Sequence, residues 1–122
     1  MVEPTITAIV IDDDLDTVEL FCEYLELEGI QVLGKGYDGK EAVELYQKMR
    51  PDIVFLDIMM PHYNGFYAAE RIQKVESNAK IIMVTADLTS DTVHKLKELK
   101  VPVIYKPYEF DDIMITIRKV LQ

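Results

Sequence analysis

The sequence contains no tryptophan, one cysteine, and only five glycines and five prolines. A lone cysteine, Cys22, excludes an intrachain disulfide and any cysteine-based metal cluster. So little glycine and proline leaves no linker or low-complexity tract, and no internal repeat is visible. There is neither a basic leader with an apolar stretch behind it nor an apolar run approaching the roughly 20 residues of a membrane span. A reducing cytoplasm is therefore the expected compartment. Positive charge is scarce too: 13 Lys and Arg stand against 22 Asp and Glu, a net charge of −9. Such a balance disfavours direct binding of nucleic acid through its phosphates.

What is present suits a single domain over residues 1–122, with 49% hydrophobic residues to build its own core. The acidic excess is uneven. Residues 1–61 hold 14 acidic and 4 basic groups, residues 62–122 hold 8 and 9. Whatever gathers negative charge lies in the first half.

Nearly continuous apolar runs at 6–11, 53–56 and 81–84 predict strands buried on both faces of a parallel sheet. Residues 30–34, interrupted by glycine and polar side chains, and 101–105, which contain Pro102, predict edge strands. Between them lie helical stripes: Leu15, Val18, Phe21, Cys22 and Leu25, closed by Gly29; Ala42, Leu45, Tyr46 and Met49; residues 65–75; and Phe110, Ile113, Met114 and Ile117. A weaker stripe of Val93, Leu96 and Leu99 predicts the loosest helix, over about 90–99. Five strands alternating with five helices imply an α/β fold with a parallel sheet. If the broken patterns are its edges, the order is 2-1-3-4-5, and ligands belong beyond the carboxyl ends of the strands.

Those ends carry the chemistry. The first strand runs into Asp12, Asp13 and Asp14, the third into Asp57, the fourth into Thr85 and Ala86, the fifth into Lys106 and Pro107. Taken singly, the first aspartates read as a solvated loop with Asp14 capping a helix, and Asp57 and Lys106 as ordinary polar ends. Taken together, they converge on one rim, where two carboxylates about 4 Å apart repel by roughly 4 kcal/mol at an effective dielectric near 20. A cation is required. Oxygen donors without histidine or cysteine point to Mg²⁺ rather than zinc.

In this order, Asp12-Asp13, Asp57 within Phe55-Leu56-Asp57-Ile58-Met59-Met60-Pro61, Thr85-Ala86 and Lys106-Pro107, the chain resembles the receiver domain of two-component response regulators over essentially its whole length. The resemblance implies a flavodoxin-like (βα)5 three-layer sandwich and one receiver domain at 1–122. It also implies Asp57 as phosphoacceptor, taking a phosphoryl group from the phosphohistidine of a sensor histidine kinase or histidine phosphotransfer protein. Asp13 would then bind Mg²⁺ directly and Asp12 chiefly through water, with Asp57 sharing the ion and Met59 giving its backbone carbonyl. Thr85, the Ala86 amide and Lys106 would hold phosphoryl oxygens, and the peptide before Pro107 would be cis. Output would run through the fourth helix, fifth strand and fifth helix to a downstream protein, with homodimerisation on phosphorylation.

Some positions depart from the family pattern. Val103 stands where an aromatic switch residue is common, with Tyr105 as a surrogate two residues on. Asn64 replaces a frequent acid, and Asn before Gly65 suggests a turn with positive φ. His62 and Tyr63 border the site, Tyr108 keeps a ring after Lys-Pro, and Asp87 lies at a position that influences how long an acyl phosphate lasts. Two other readings are a receiver fold kept as a constitutive interaction module, which Val103 favours, and a small metal-dependent aspartyl phosphatase. Asp12 and Asp14 have the spacing for the second, but no insertion is long enough to form a substrate cap. A flavin site needs a glycine- or hydroxyl-rich cradle after the first strand, where this chain has three aspartates.

Overall fold

The structure is a computed structural model and describes residues 5–122. Strands and helices alternate as β1 (Thr7–Ile11), α1 (Leu15–Leu27), β2 (Gln31–Gly36), α2 (Gly39–Met49), β3 (Ile53–Asp57), α3 (Gly65–Val75), β4 (Ile81–Thr85), α4 (Ser90–Leu99), β5 (Val103–Tyr105) and α5 (Phe110–Leu121). All neighbouring strands pair in parallel, in the order β2-β1-β3-β4-β5.

Alternation along the strands makes two cores. Ala8, Val10, Phe55, Ile82, Val84 and Ile104 point to the side covered by α1 and α5, where they meet Val18, Phe21, Leu25, Ile113 and Ile117. Ile9, Ile11, Val54, Leu56, Ile81 and Met83 point to the other side, against Ala42, Tyr46, Ala68, Ala69, Ile72 and Leu96 of α2, α3 and α4. Each fully buried aliphatic side chain contributes about 2 kcal/mol of apolar burial, and the central strands supply one to each face in turn. The result is the flavodoxin-like three-layer sandwich.

The edges differ in detail from the sequence pattern. β2 runs to Gly36, because Gly34 does not break the strand: a Cβ there would stand 2.9 Å from Leu45 Cδ2, so glycine makes room for α2. β5 starts only after Pro102, whose carbonyl accepts from the Met83 amide at 3.0 Å. Leu15 leaves the predicted stripe and is 61% exposed, since α1 begins at the rim, before its course over the sheet. Phe110 is also largely exposed, its ring stacked on Tyr24 of α1 at 4.3 Å between centroids. Gly29 does close α1: its amide donates to Glu26 O and that of Ile30 to Leu25 O, the paired bonds of a Schellman turn. α4 buries a single apolar residue, Leu96, beside Thr92, fewer than any other helix. No helix among the described residues is long and apolar enough to cross a membrane.

Candidate functional site

Parallel pairing brings the carboxyl ends of β1, β3, β4 and β5 to one edge of the sheet, and each delivers a polar residue there. Asp12 follows β1 and is held by its own amide, which donates to Gly36 O of β2 at 3.1 Å. One carboxylate oxygen accepts from the Asp14 amide at 3.0 Å. Asp14 occupies the N-cap of α1, but its carboxylate accepts from the Thr17 hydroxyl rather than from a helix amide. Asp57 is the last residue of β3 and, like Asp12, only 5% exposed.

The turn after β3 folds back tightly. The Gly65 amide donates to Ile58 O at 3.0 Å, and a Cβ at residue 65 would lie 2.8 Å from Ile58 Cα and press on the Asp57 carbonyl. Only glycine permits this approach, which fixes the backbone of Asp57 against the start of α3. Asn64 does not take the positive φ expected from the Asn-Gly pair. Its φ is −83° and its side chain caps α3 by accepting from the Tyr67 amide at 3.0 Å. The left-handed residue of this loop is His62, at φ 67°. A cap needs extended backbone, so the turn is made two residues earlier.

Oxygens of Asp12, Asp13 and Asp57 lie within 4.8 Å of one another, with Asp13 exposed and the other two buried. Lys106 enters from β5, its amide bonded to Thr85 O at 2.8 Å and the following Lys106–Pro107 peptide cis. Its Nζ sits 3.0 Å from Asp12 Oδ2 and 3.8 Å from Asp57 Oδ2. Two carboxylates 4.8 Å apart repel by about 3.5 kcal/mol at an effective dielectric near 20, and one ammonium cannot balance three charges. The imbalance shows in Asp57. Burial foremost, then the charge of Asp12 and, less, of Asp13, outweigh Lys106 and the Ile58 amide and lift its pKa to about 6. Burial acts against the Lys106 ammonium, but its bond to Asp12 and the charges of Asp57 and Asp12 prevail and raise its pKa. A cluster of hard oxygen donors with residual negative charge fits a small divalent cation of the magnesium type.

Thr85, wholly buried at the end of β4, accepts the Asp87 amide on its hydroxyl at 3.0 Å, and Ala86 is exposed. The Met59 side chain is 62% exposed, pointing away from the protein. Tyr108 packs its ring on Phe21, edge to face, and burial pushes its phenol pKa up. Val103 is half-buried against the α2–α4 side, while Tyr105 on the same strand is 42% exposed. His62 and Tyr63 lie exposed in the loop before α3, and His94 pairs with Glu98 one turn along α4 at 2.8 Å.

One participant escaped the sequence analysis. Thr92 is 7% exposed and its hydroxyl donates to Asp87 Oδ2 at 2.7 Å. Its spacing from Leu96 and Leu99, four and seven residues, was the available signal, hidden because threonine is not counted among apolar residues.

This fold, with an acidic cluster and an ammonium at the carboxyl end of a 2-1-3-4-5 sheet, is that of a response regulator receiver domain, and residues 8–118 match that family. The chain belongs to it, and receiver domains are signalling domains of two-component systems. It is similar to the chemotaxis protein CheY of Thermotoga maritima, 32% identical over 113 residues that cover 92% of this chain and 94% of that protein. It also resembles the sporulation initiation phosphotransferase F of Bacillus subtilis, 29% identical over 93% of this chain and 91% of that one. Among solved structures, one from the CheX–CheY complex of Borrelia burgdorferi with beryllofluoride and magnesium superposes with a TM-score of 0.90, at 27% identity and coverage of 96% and 90%.

Proposed function

We propose that this chain is a phosphorylation-dependent signalling protein that receives a phosphoryl group on Asp57 from the phosphohistidine of a sensor kinase or a histidine phosphotransfer protein. The observation that carries this reading is the meeting of Asp12, Asp13 and Asp57 within 4.8 Å, with the Lys106 ammonium 3.8 Å from Asp57. In the transfer, an Asp57 carboxylate oxygen bonds to phosphorus as the phosphorus–nitrogen bond to the donor imidazole breaks, and the imidazole takes up a proton.

Asp12, Asp13, Asp57 and the Met59 carbonyl are the groups that would hold Mg²⁺. When bound, that ion supplies positive charge to the phosphoryl oxygens. Lys106 neutralises a further oxygen, and Thr85 and the Ala86 amide donate to the remaining ones. Burial of Asp57 excludes competing water from the carboxylate that attacks. On this reading residues 1–122 form one receiver that works in the cytoplasm and signals by contact with a downstream protein rather than by binding nucleic acid or membrane. The chain is then a phosphoacceptor and not a turnover enzyme.

Incubation with acetyl phosphate and Mg²⁺ is expected to add the mass of one phosphoryl group to the intact protein, and Asp57→Asn is expected to remove that adduct. No adduct together with no Mg²⁺ affinity would instead mark a constitutive interaction module, and steady turnover of unrelated phosphoesters a phosphatase. The absence of tryptophan directs the metal titration to NMR or calorimetry. Homodimerisation through α4, β5 and α5 follows from the same reading: light scattering should show a larger mass with beryllofluoride and Mg²⁺ than without, and an unchanged mass would exclude it.

A further inference from the structure

Thr85 is tied to α4 by a short chain of hydrogen bonds. Its hydroxyl oxygen accepts from the Asp87 amide at 3.0 Å. The Asp87 carboxylate is in turn bonded twice to the start of α4, accepting from the Thr89 amide at 2.9 Å and from the Thr92 hydroxyl at 2.7 Å. Thr92 is buried, so no solvent stands ready to replace its bond to Asp87. Those bonds, that of Thr92 first, hold the Asp87 pKa below the usual carboxylate value, so the carboxylate remains an acceptor.

A hydroxyl that accepts an amide proton keeps its own proton for another partner. The Asp87 amide thus presents Thr85 as a donor, and the place of that amide depends on where Thr89 and Thr92 hold the carboxylate. Any pull on the Thr85 hydroxyl towards a group on Asp57 must lengthen the bond to Asp87 or bring Asp87 with it. Because Asp87 grips the first turn of α4, bringing it moves the helix. Little opposes that motion, since Thr92 and Leu96 are the only buried residues of α4. Position 103, where an aromatic residue often serves the family, carries an aliphatic side chain with no polar end to follow Thr85.

We infer that Asp87 and Thr92 are positioning residues that couple the Thr85 hydroxyl to helix α4, so that occupation of Asp57 and the placement of α4 bias one another. The inference rests on the reading of Thr85 as a donor to the phosphoryl group.

Amide NMR spectra of the wild type and of Thr92→Val, each with Mg²⁺ and with or without beryllofluoride, test it. Valine keeps the shape of threonine and removes the hydroxyl. In the wild type, signals at Asp57, Thr85 and Ala86 and along α4 to Leu99 should shift. In Thr92→Val the shifts at Asp57 and Thr85 should persist, while those from Val93 to Leu99 are lost. Thr92→Ser should restore them, and Asp87→Ala, at a half-exposed site, should behave as Thr92→Val. Equal α4 shifts in wild type and Thr92→Val would overturn the coupling and leave the phosphoacceptor reading standing. No shift at Asp57 or Thr85 in the wild type would overturn both.

Discussion

Replacing Lys106 with methionine is expected to slow phosphorylation of Asp57 by acetyl phosphate about a hundredfold at saturating Mg²⁺, the usual loss when one preorganised donor to developing negative charge is removed. The geometry explains why so much hangs on this side chain. Among the described residues, Lys106 is the one cation paired with the acidic cluster, 3.0 Å from Asp12 and 3.8 Å from Asp57. Methionine fills similar space without the charge, so the change tests electrostatics more than packing. Asp57 should respond as well. Lys106, more than the Ile58 amide, opposes the lift that burial and Asp12 give its pKa, so in the metal-free variant that pKa should rise beyond about 6. Mg²⁺ opposes that rise with its own positive charge, so in its presence the rate is expected to climb over an only somewhat more alkaline range than in the wild type. Time courses of intact mass across pH measure both effects, and a rate within about threefold of wild type would remove Lys106 from the transfer.

The second large effect concerns stability without metal. Asp57 has a folded pKa near 6 against 3.8 for an unperturbed aspartate, so the folded state binds the proton more tightly than the unfolded state does. Ionising Asp57 therefore destabilises the fold. The penalty is fully present above about pH 6, shrinks as pH falls through the interval, and is gone below 3.8. Asp57→Asn, which carries no charge at any pH, is expected to exceed the metal-free wild type in stability by about 2 kcal/mol at pH 7.5, somewhat under the full shift because the asparagine amide does not replace every contact of the protonated carboxyl group. The gap should close near pH 4. Added Mg²⁺ is expected to reverse the order, stabilising the wild type by about 2.7 kcal/mol at a hundred times its dissociation constant and the variant much less. Urea unfolding in EDTA and in Mg²⁺, at several pH values, reads both. A variant less stable than wild type in EDTA at pH 7.5 would show that the cluster is not under strain.

Much of this architecture was legible because burial writes it plainly. β1, β3 and β4 have cores on both faces, so their apolar runs are continuous, and a sheet of that kind places Asp12, Asp57, Thr85 and Lys106 on one rim. What escaped depends on local competition between polar groups, which periodicity does not record. Asn64 and Gly65 offer a left-handed turn, yet the open amides of α3 claim the asparagine as a cap and shift the turn to His62. Thr92 looks polar in the sequence, but faces inward because the Asp87 carboxylate waits there. Leu15 fits a helical stripe, but the stripe outlasts the sheet it should cover.

The lone ammonium of the rim hangs from the shortest strand, since β5 has three residues and a half-open edge, whereas Asp57 closes a strand buried along all five. Partial opening should therefore be lopsided. Amides of β5 are expected to exchange with deuterium through small fluctuations, and those of β3 only when the whole chain unfolds. Each such fluctuation would withdraw the positive charge while the acidic half of the pocket stays in place, so a protein that is fully native by its slowest-exchanging amides is expected to spend part of its time with the Asp57 carboxylate uncompensated.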